Sequence, residues 1–170
     1  KQGYIGEITL GFGMLFYGLM LMGDALKVLK DIQAFHDLTI AMSAHPWWAV
    51  GGGIIMTGVI QSSSAMIGIV QKIYESGGMP FAAALPFVFG SNIGTTITAA
   101  LAAMGGSLAS RRAAGIHTLF NVLMTIIAML MLPLYLSLLA YLTGRFGIEP
   151  MMQIAVAHII FNLVGTILFY

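Results

Sequence analysis

Charge is confined to a few short patches of this chain, and the stretches between them are apolar. Residues 38–71, 76–110, 113–144 and 150–170 contain no Asp, Glu, Lys or Arg. Each is long enough to cross a hydrocarbon core as helix, which takes roughly 20 apolar residues. Hydropathy predicts a lead-in apolar helix and a charged interfacial helix over 8–37, where "DALKVLKDIQAFHDL" supplies the amphipathic face. Trp47 and Trp48 follow Pro46 as interface anchors where the chain re-enters the bilayer. Two segments of similar design, 47–74 and 79–106, come next, joined by a turn containing "SGGMP". Transmembrane helices are predicted over 112–142 and 150–170.

Both central segments are interrupted by uncharged polar residues. The first carries Gln61, Ser62, Ser63 and Ser64; the second carries "GSNIGTTIT" from Gly90 to Thr98. Ser and Thr hydroxyls can bond back to carbonyls one turn earlier, so either segment alone is compatible with a continuous helix. Gln61 and Asn92 hide less easily, because each amide has two donors and an acceptor that hydrocarbon leaves unpaired. Gly90 and Gly94 flank Asn92 and permit backbone conformations outside the helix. The expectation is therefore a re-entrant hairpin followed by a broken helix. Paired Gly-interrupted segments in secondary transporters mark a binding site near the bilayer midplane.

Composition agrees with this pattern and narrows the chemistry. Hydrophobic residues make up 59% and charged residues 8% of the chain, and the mean hydropathy is +0.95, too apolar to coat a soluble globule. A formal net charge of +1, with no basic stripe, excludes a nucleic-acid surface. The absence of cysteine excludes disulfides and thiolate metal sites. No Gly-x-Ser-x-Gly elbow is present and no histidine lies near Ser62–Ser64, so a serine-nucleophile enzyme is not expected. No organic cofactor is expected either. Freed carbonyls and hydroxyls suit a hard cation such as Na+, while half-helix N-termini suit an anion. With no Lys or Arg in either motif, an anion would need a co-bound cation to offset its desolvation.

"QSSSA" followed by "GSNIGTT" resembles the type II sodium/phosphate cotransporter family. Its repeat unit has a Gln-Ser-Ser-Ser hairpin tip and a Gly-x-Asn-Ile-Gly-Thr-Thr break. "GLMLMGDALKVL" resembles that family's lead-in helix and "RRAAGIHTLFN" its following helix, so the similarity covers nearly the whole chain. The resemblance implies an all-α polytopic membrane protein, one repeat of an inverted-repeat secondary transporter, placed in the plasma (inner) membrane. It implies sodium-coupled transport of inorganic phosphate. The alternatives are transport of another small anion and a non-transporting, phosphate-responsive membrane scaffold.

Carried over residue by residue, the resemblance implies Na+ at Gln61, Ser62, Ser91, Thr95 and Thr98, and phosphate at Ser62, Ser63, Ser64 and Asn92. The chain has one such repeat, similar to the family's second, and reads as a C-terminal half or a fragment. The expected partners are phosphate, Na+, the lipid bilayer and a second inverted repeat, on a missing N-terminal half or another subunit, with self-association the other route. A smaller echo lies downstream, where "HTLFN" at 117–121 recurs as "HIIFN" at 158–162. His and Asn four residues apart share a helix face, and the pattern is read as interhelical hydrogen bonding rather than as a proton relay.

Overall fold

The computed structural model describes residues 2–169, and among them the chain forms eight α-helices, one 3-10 turn and no strand. Tyr170, at the end of the last expected helix, lies outside the described residues. Helix α1 (Gln2–Leu26) leads through a 3-10 turn (Lys27–Asp31) into α2 (Gln33–Ala44). The predicted amphipathic helix is thus divided, because Ile32 is extended (φ −90°, ψ 109°) and starts a new helix direction. The remaining helices are α3 (Pro46–Ile60), α4 (Ser63–Glu75), α5 (Phe81–Ala103), α6 (Leu108–Leu130), α7 (Leu132–Phe146) and α8 (Pro150–Phe169). Among the described residues, four stretches are long and apolar enough to cross a bilayer: Tyr4–Leu29, Phe81–Ala103, Leu108–Leu130 and Pro150–Phe169. Val59, Leu130, Ile159 and Ile167 point outward from the bundle, as side chains solvated by lipid do.

Helix α3, with 15 residues, extends about 22 Å at 1.5 Å per residue, short of a hydrocarbon core of about 30 Å. It ends because Gln61 adopts the left-handed conformation (φ 58°, ψ 25°) and donates its N–H to the Thr57 carbonyl at 2.6 Å. Ser62 is extended and caps α4, its hydroxyl accepting from Ala65 N–H at 3.3 Å. The direction of the chain after this break follows from the glycines. A Cβ on Gly90 would meet Val50, one on Gly94 would meet Ile54 and Thr57, and one on Gly58 would meet Ile97. Positions on α3 and α5 therefore rise together, and the two helices are parallel. Helix α4, between them in sequence, must run back, so α3 and α4 form a hairpin with Gln61 and Ser62 at its tip.

The second expected break is absent: α5 is helical without interruption from Phe81 to Ala103. Two physical reasons account for it. Asn92 donates to the Val88 carbonyl at 3.2 Å, and the hydroxyls of Thr95, Thr96 and Thr98 donate to Ser91, Ile93 and Thr95 carbonyls at 2.8–3.0 Å. These back-bonds satisfy the polar side chains inside the helix. Gly90 and Gly94, spaced as Gly-x-x-x-Gly, let the α3 backbone come closer than any side chain would allow; Ile54 O and Thr57 Cβ would both lie 2.7 Å from a Cβ at 94. The glycines serve helix approach rather than unwinding.

The predicted helix over 112–142 is also divided, at Met131 (φ −96°, ψ 11°), where α6 ends and α7 begins. Pro133 stands in the first turn of α7, and its ring and missing N–H prevent α6 from continuing. Helix α7 folds back onto the bundle. Tyr135 donates its hydroxyl to the Ala157 carbonyl at 2.5 Å and meets Phe89 edge-on at 5.5 Å, while Phe89 stacks on Phe161 at 4.9 Å. Phe89 and Phe161, both fully buried, tie α5 to α8. Thr125 of α6 donates to the Phe89 carbonyl at 3.2 Å, closing the same core.

Candidate functional site

Asn92 is the central residue of α5, with eleven residues on either side in Phe81–Ala103. Its side-chain oxygen lies 3.0 Å from Nε2 of His158 on α8. Because the Asn92 amide nitrogen is committed to Val88, the oxygen is the acceptor and His158 donates. Beside this pair lies a cavity of about 250 Å³ lined by Ser63 of α4, Asn92 and Thr95 of α5, His117 and Asn121 of α6, and His158 and Asn162 of α8, with Phe120 as its apolar edge. At about 30 Å³ per liquid water, it has room for a small polyatomic ion with part of its hydration. Among the described residues, no Asp, Glu, Lys or Arg lines it.

Helices α6 and α8 cross in opposite senses: Phe169 of α8 meets Phe120 of α6, and Gly165 meets Met124. The two His–Asn pairs nevertheless line one cavity. The pairs straddle the middle of their helices, as Asn92 does in α5. The cavity therefore sits at mid-height of three spanning helices. Hydrocarbon tolerates such a cluster of polar groups only when it faces protein or water.

The predicted site residues distribute unevenly around this cavity. Ser63, Asn92 and Thr95 line it, and of the residues expected to bind sodium only Thr95 does so. Gln61 is exposed at the hairpin tip, and Ser62 caps α4 with its hydroxyl 3.3 Å from that of Ser64. Ser91 is fully buried where α3 and α5 touch, near Gly53, and its hydroxyl lacks a hydrogen-bond partner, as does that of Thr57. Thr95 and Thr98 give their hydroxyl protons to carbonyls, which leaves their oxygen lone pairs free to face a cation.

The break at the tip exposes backbone groups of both signs. The carbonyls of Gly58, Val59 and Ile60 accept no backbone N–H, and the N–H groups of Ser63 and Ser64 have no backbone carbonyl partner. The negative end of the α3 dipole thus adjoins the positive end of α4. The sequence reading missed His117, Asn121, His158 and Asn162 as cavity residues. Their signal was present in the repeated His-x-x-Phe-Asn, whose packing role His158 fulfils while also facing the cavity.

The profile of the family described as Na+/Pi-cotransporter matches residues 21–168. The chain belongs to the Na+/Pi-cotransporter family. With four helices long and apolar enough to span, it is an integral membrane protein. It is 32% identical to the uncharacterized protein YqeW of Bacillus subtilis over 165 residues, which are 97% of this chain and 52% of YqeW. It is 33% identical over 149 residues to rat sodium-dependent phosphate transport protein 2A, covering 81% of this chain and 23% of that protein. Human sodium-dependent phosphate transport protein 2B is 32% identical over 128 residues, covering 69% and 18%. The chain thus spans about half of the bacterial relative and about a fifth of the mammalian ones. No solved structure matches it significantly.

Proposed function

We propose that this chain forms one half of a site for sodium-coupled transport of inorganic phosphate. The observation that carries the reading is the neutral polar cavity at mid-height of α5, α6 and α8, with the first turn of α4 at its wall. Phosphate is met by the hydroxyls and free backbone N–H groups of Ser63 and Ser64, by the Ser62 hydroxyl, and by the Asn92 amide. A helix N-terminus with unpaired N–H groups favours an anion.

Sodium is held by Gln61, Ser62, Ser91, Thr95 and Thr98. Two features support this set: the unpartnered Ser91 hydroxyl, and the threonine oxygens whose protons are already engaged elsewhere. Coupling follows from electrostatics. Without a cationic side chain at the cavity, phosphate enters low dielectric at a large desolvation cost, and Na+ at the adjoining α3 end offsets part of it.

The cavity is open on one side, where His117 is exposed. A second inverted repeat, on the same polypeptide or another subunit, or a second copy of this chain, covers that face and moves relative to it as access alternates. Radiolabelled phosphate uptake into proteoliposomes by the chain joined to a second repeat, with and without an inward Na+ gradient, tests the reading. Uptake driven by the gradient is expected; uptake indifferent to Na+ would rule out the coupling, and failure to take up phosphate would rule out the substrate.

A further inference from the structure

We infer that the two His–Asn pairs, His117–Asn121 and His158–Asn162, form a second wall of the anion cavity that selects an oxyanion bearing hydroxyl groups, as protonated phosphate does. This deepens the proposed function and rests on it. The hydrogen bonds leave a defined surplus. Asn121 donates one amide hydrogen to the His117 carbonyl at 2.9 Å, and Asn162 donates one to the His158 carbonyl at 2.9 Å. Each amide keeps a second N–H and its whole oxygen for the cavity. His158 is fixed by donating to Asn92, so in the neutral ring Nδ1 is an acceptor. The His117 ring makes no hydrogen bond among the described residues, although it lines the cavity.

This wall therefore offers both N–H donors and strong acceptors. A fully ionised oxyanion such as sulfate satisfies the donors and leaves the amide oxygens and Nδ1 facing lone pairs. A phosphate carrying one or two P–OH groups satisfies both kinds, its P–O oxygens accepting from the amide N–H groups and its hydroxyls donating to Asn121 Oδ1, Asn162 Oδ1 or His158 Nδ1. Sites built to hydrogen-bond a ligand hydroxyl reject analogues lacking it by up to about 10⁴–10⁵-fold, because buried acceptors are then left unpaired. The mid-height position of the cavity keeps it away from lipid headgroups, so the ligand is the free ion.

The test is equilibrium binding of radiolabelled phosphate to the purified chain joined to a second repeat, in detergent with Na+, using sulfate and arsenate as competitors. In the wild type, arsenate, which also carries hydroxyls at neutral pH, is expected to displace phosphate, and sulfate at the same concentration is not. His117→Ala removes a ring with no internal partner, so affinity is expected to fall about tenfold with the unfolding temperature unchanged. Asn121→Leu is expected to weaken phosphate more than sulfate; because Asn121 is buried, His117→Ala decides if that variant fails to fold. Phosphate binding by the wild type together with unchanged affinity in His117→Ala, or with displacement by sulfate as effective as by arsenate, overturns the assignment and leaves the transport reading standing. A wild type that binds no phosphate in Na+ overturns both.

Discussion

The close approach of α3 to α5 makes a sharp prediction at Gly90. In Gly90→Ala the new Cβ would collide with the carbonyl oxygen of Val50, and it would lie 2.8 Å from the Val50 carbonyl carbon and 2.9 Å from its Cα. None of these atoms is the end of a flexible side chain, so relief requires α3 as a whole to move away. Alanine gains up to about 1 kcal/mol of helix propensity over glycine, whereas overpacking a filled interface costs roughly 1–3 kcal/mol, and occasionally more. With backbone as the obstacle the upper part of that range applies, and the net loss is about 2 kcal/mol. For a chain of this size, about 2–4 °C of Tm accompanies each kcal/mol, so a fall of roughly 4–8 °C is expected by circular dichroism in detergent. Gly115→Ala is the matched control: it lies within α6 with no heavy atom within 4 Å of a Cβ, and its Tm should hold or rise. If Gly90→Ala melted as high as Gly115→Ala, the Gly-mediated contact and the parallel placement of α3 on α5 would be wrong.

Three further outcomes test the hairpin and the proposed ion site. Gln61→Gly should keep or slightly raise the unfolding temperature, because glycine accepts the left-handed backbone at φ 58°, yet should lower Na+ activation of uptake; Gln61→Val should lower stability as well, since a β-branched residue is strained there. Thr95→Ala should raise the Na+ concentration needed for half-maximal uptake several-fold while Leu101→Ala leaves it unchanged, and equal effects from the two would remove Thr95 from the ion site. Ser63→Cys should react with a water-soluble thiol reagent and be protected by Na+ plus phosphate; reactivity indifferent to both ligands would take Ser63 out of the cavity wall.

How much of this was legible in the sequence depended on whether a feature is local. The membrane helices follow from uninterrupted apolar stretches, and the hairpin tip follows from Gln61–Ser64, where a polar run with a good N-cap residue interrupts such a stretch. "GSNIGTTIT" is polar too and adds two glycines, but those glycines answer to α3, which is distant in sequence. Whether a glycine unwinds a helix or admits a neighbouring backbone is decided by the neighbour. The division at Met131 did carry a local signal in Pro133, which hydropathy alone does not register. The cavity role of the His–Asn pairs was not legible, because it depends on how α6 and α8 pack around α5, a tertiary arrangement seen where His158 meets Asn92.

A single break is sufficient for the proposed two-ion site because of what it places side by side. A continuous helix neutralises its interior carbonyls and N–H groups against each other; a break frees the last carbonyls of one half and the first N–H groups of the next. Here Gly58, Val59 and Ile60 present the carbonyls, Ser63 and Ser64 present the N–H groups, and only Gln61 and Ser62 separate them. Opposite partial charges at such short range invite opposite ions, and each ion lowers the cost of desolvating the other. Helix α5 can then remain intact and act as a rigid rail, its Gly90 and Gly94 face holding α3 while its Asn92 and Thr95 face lines the cavity. Continuity of α5 thus fixes the height of the tip relative to the two His–Asn pairs, which a second flexible break at Gly90–Thr98 would leave unfixed.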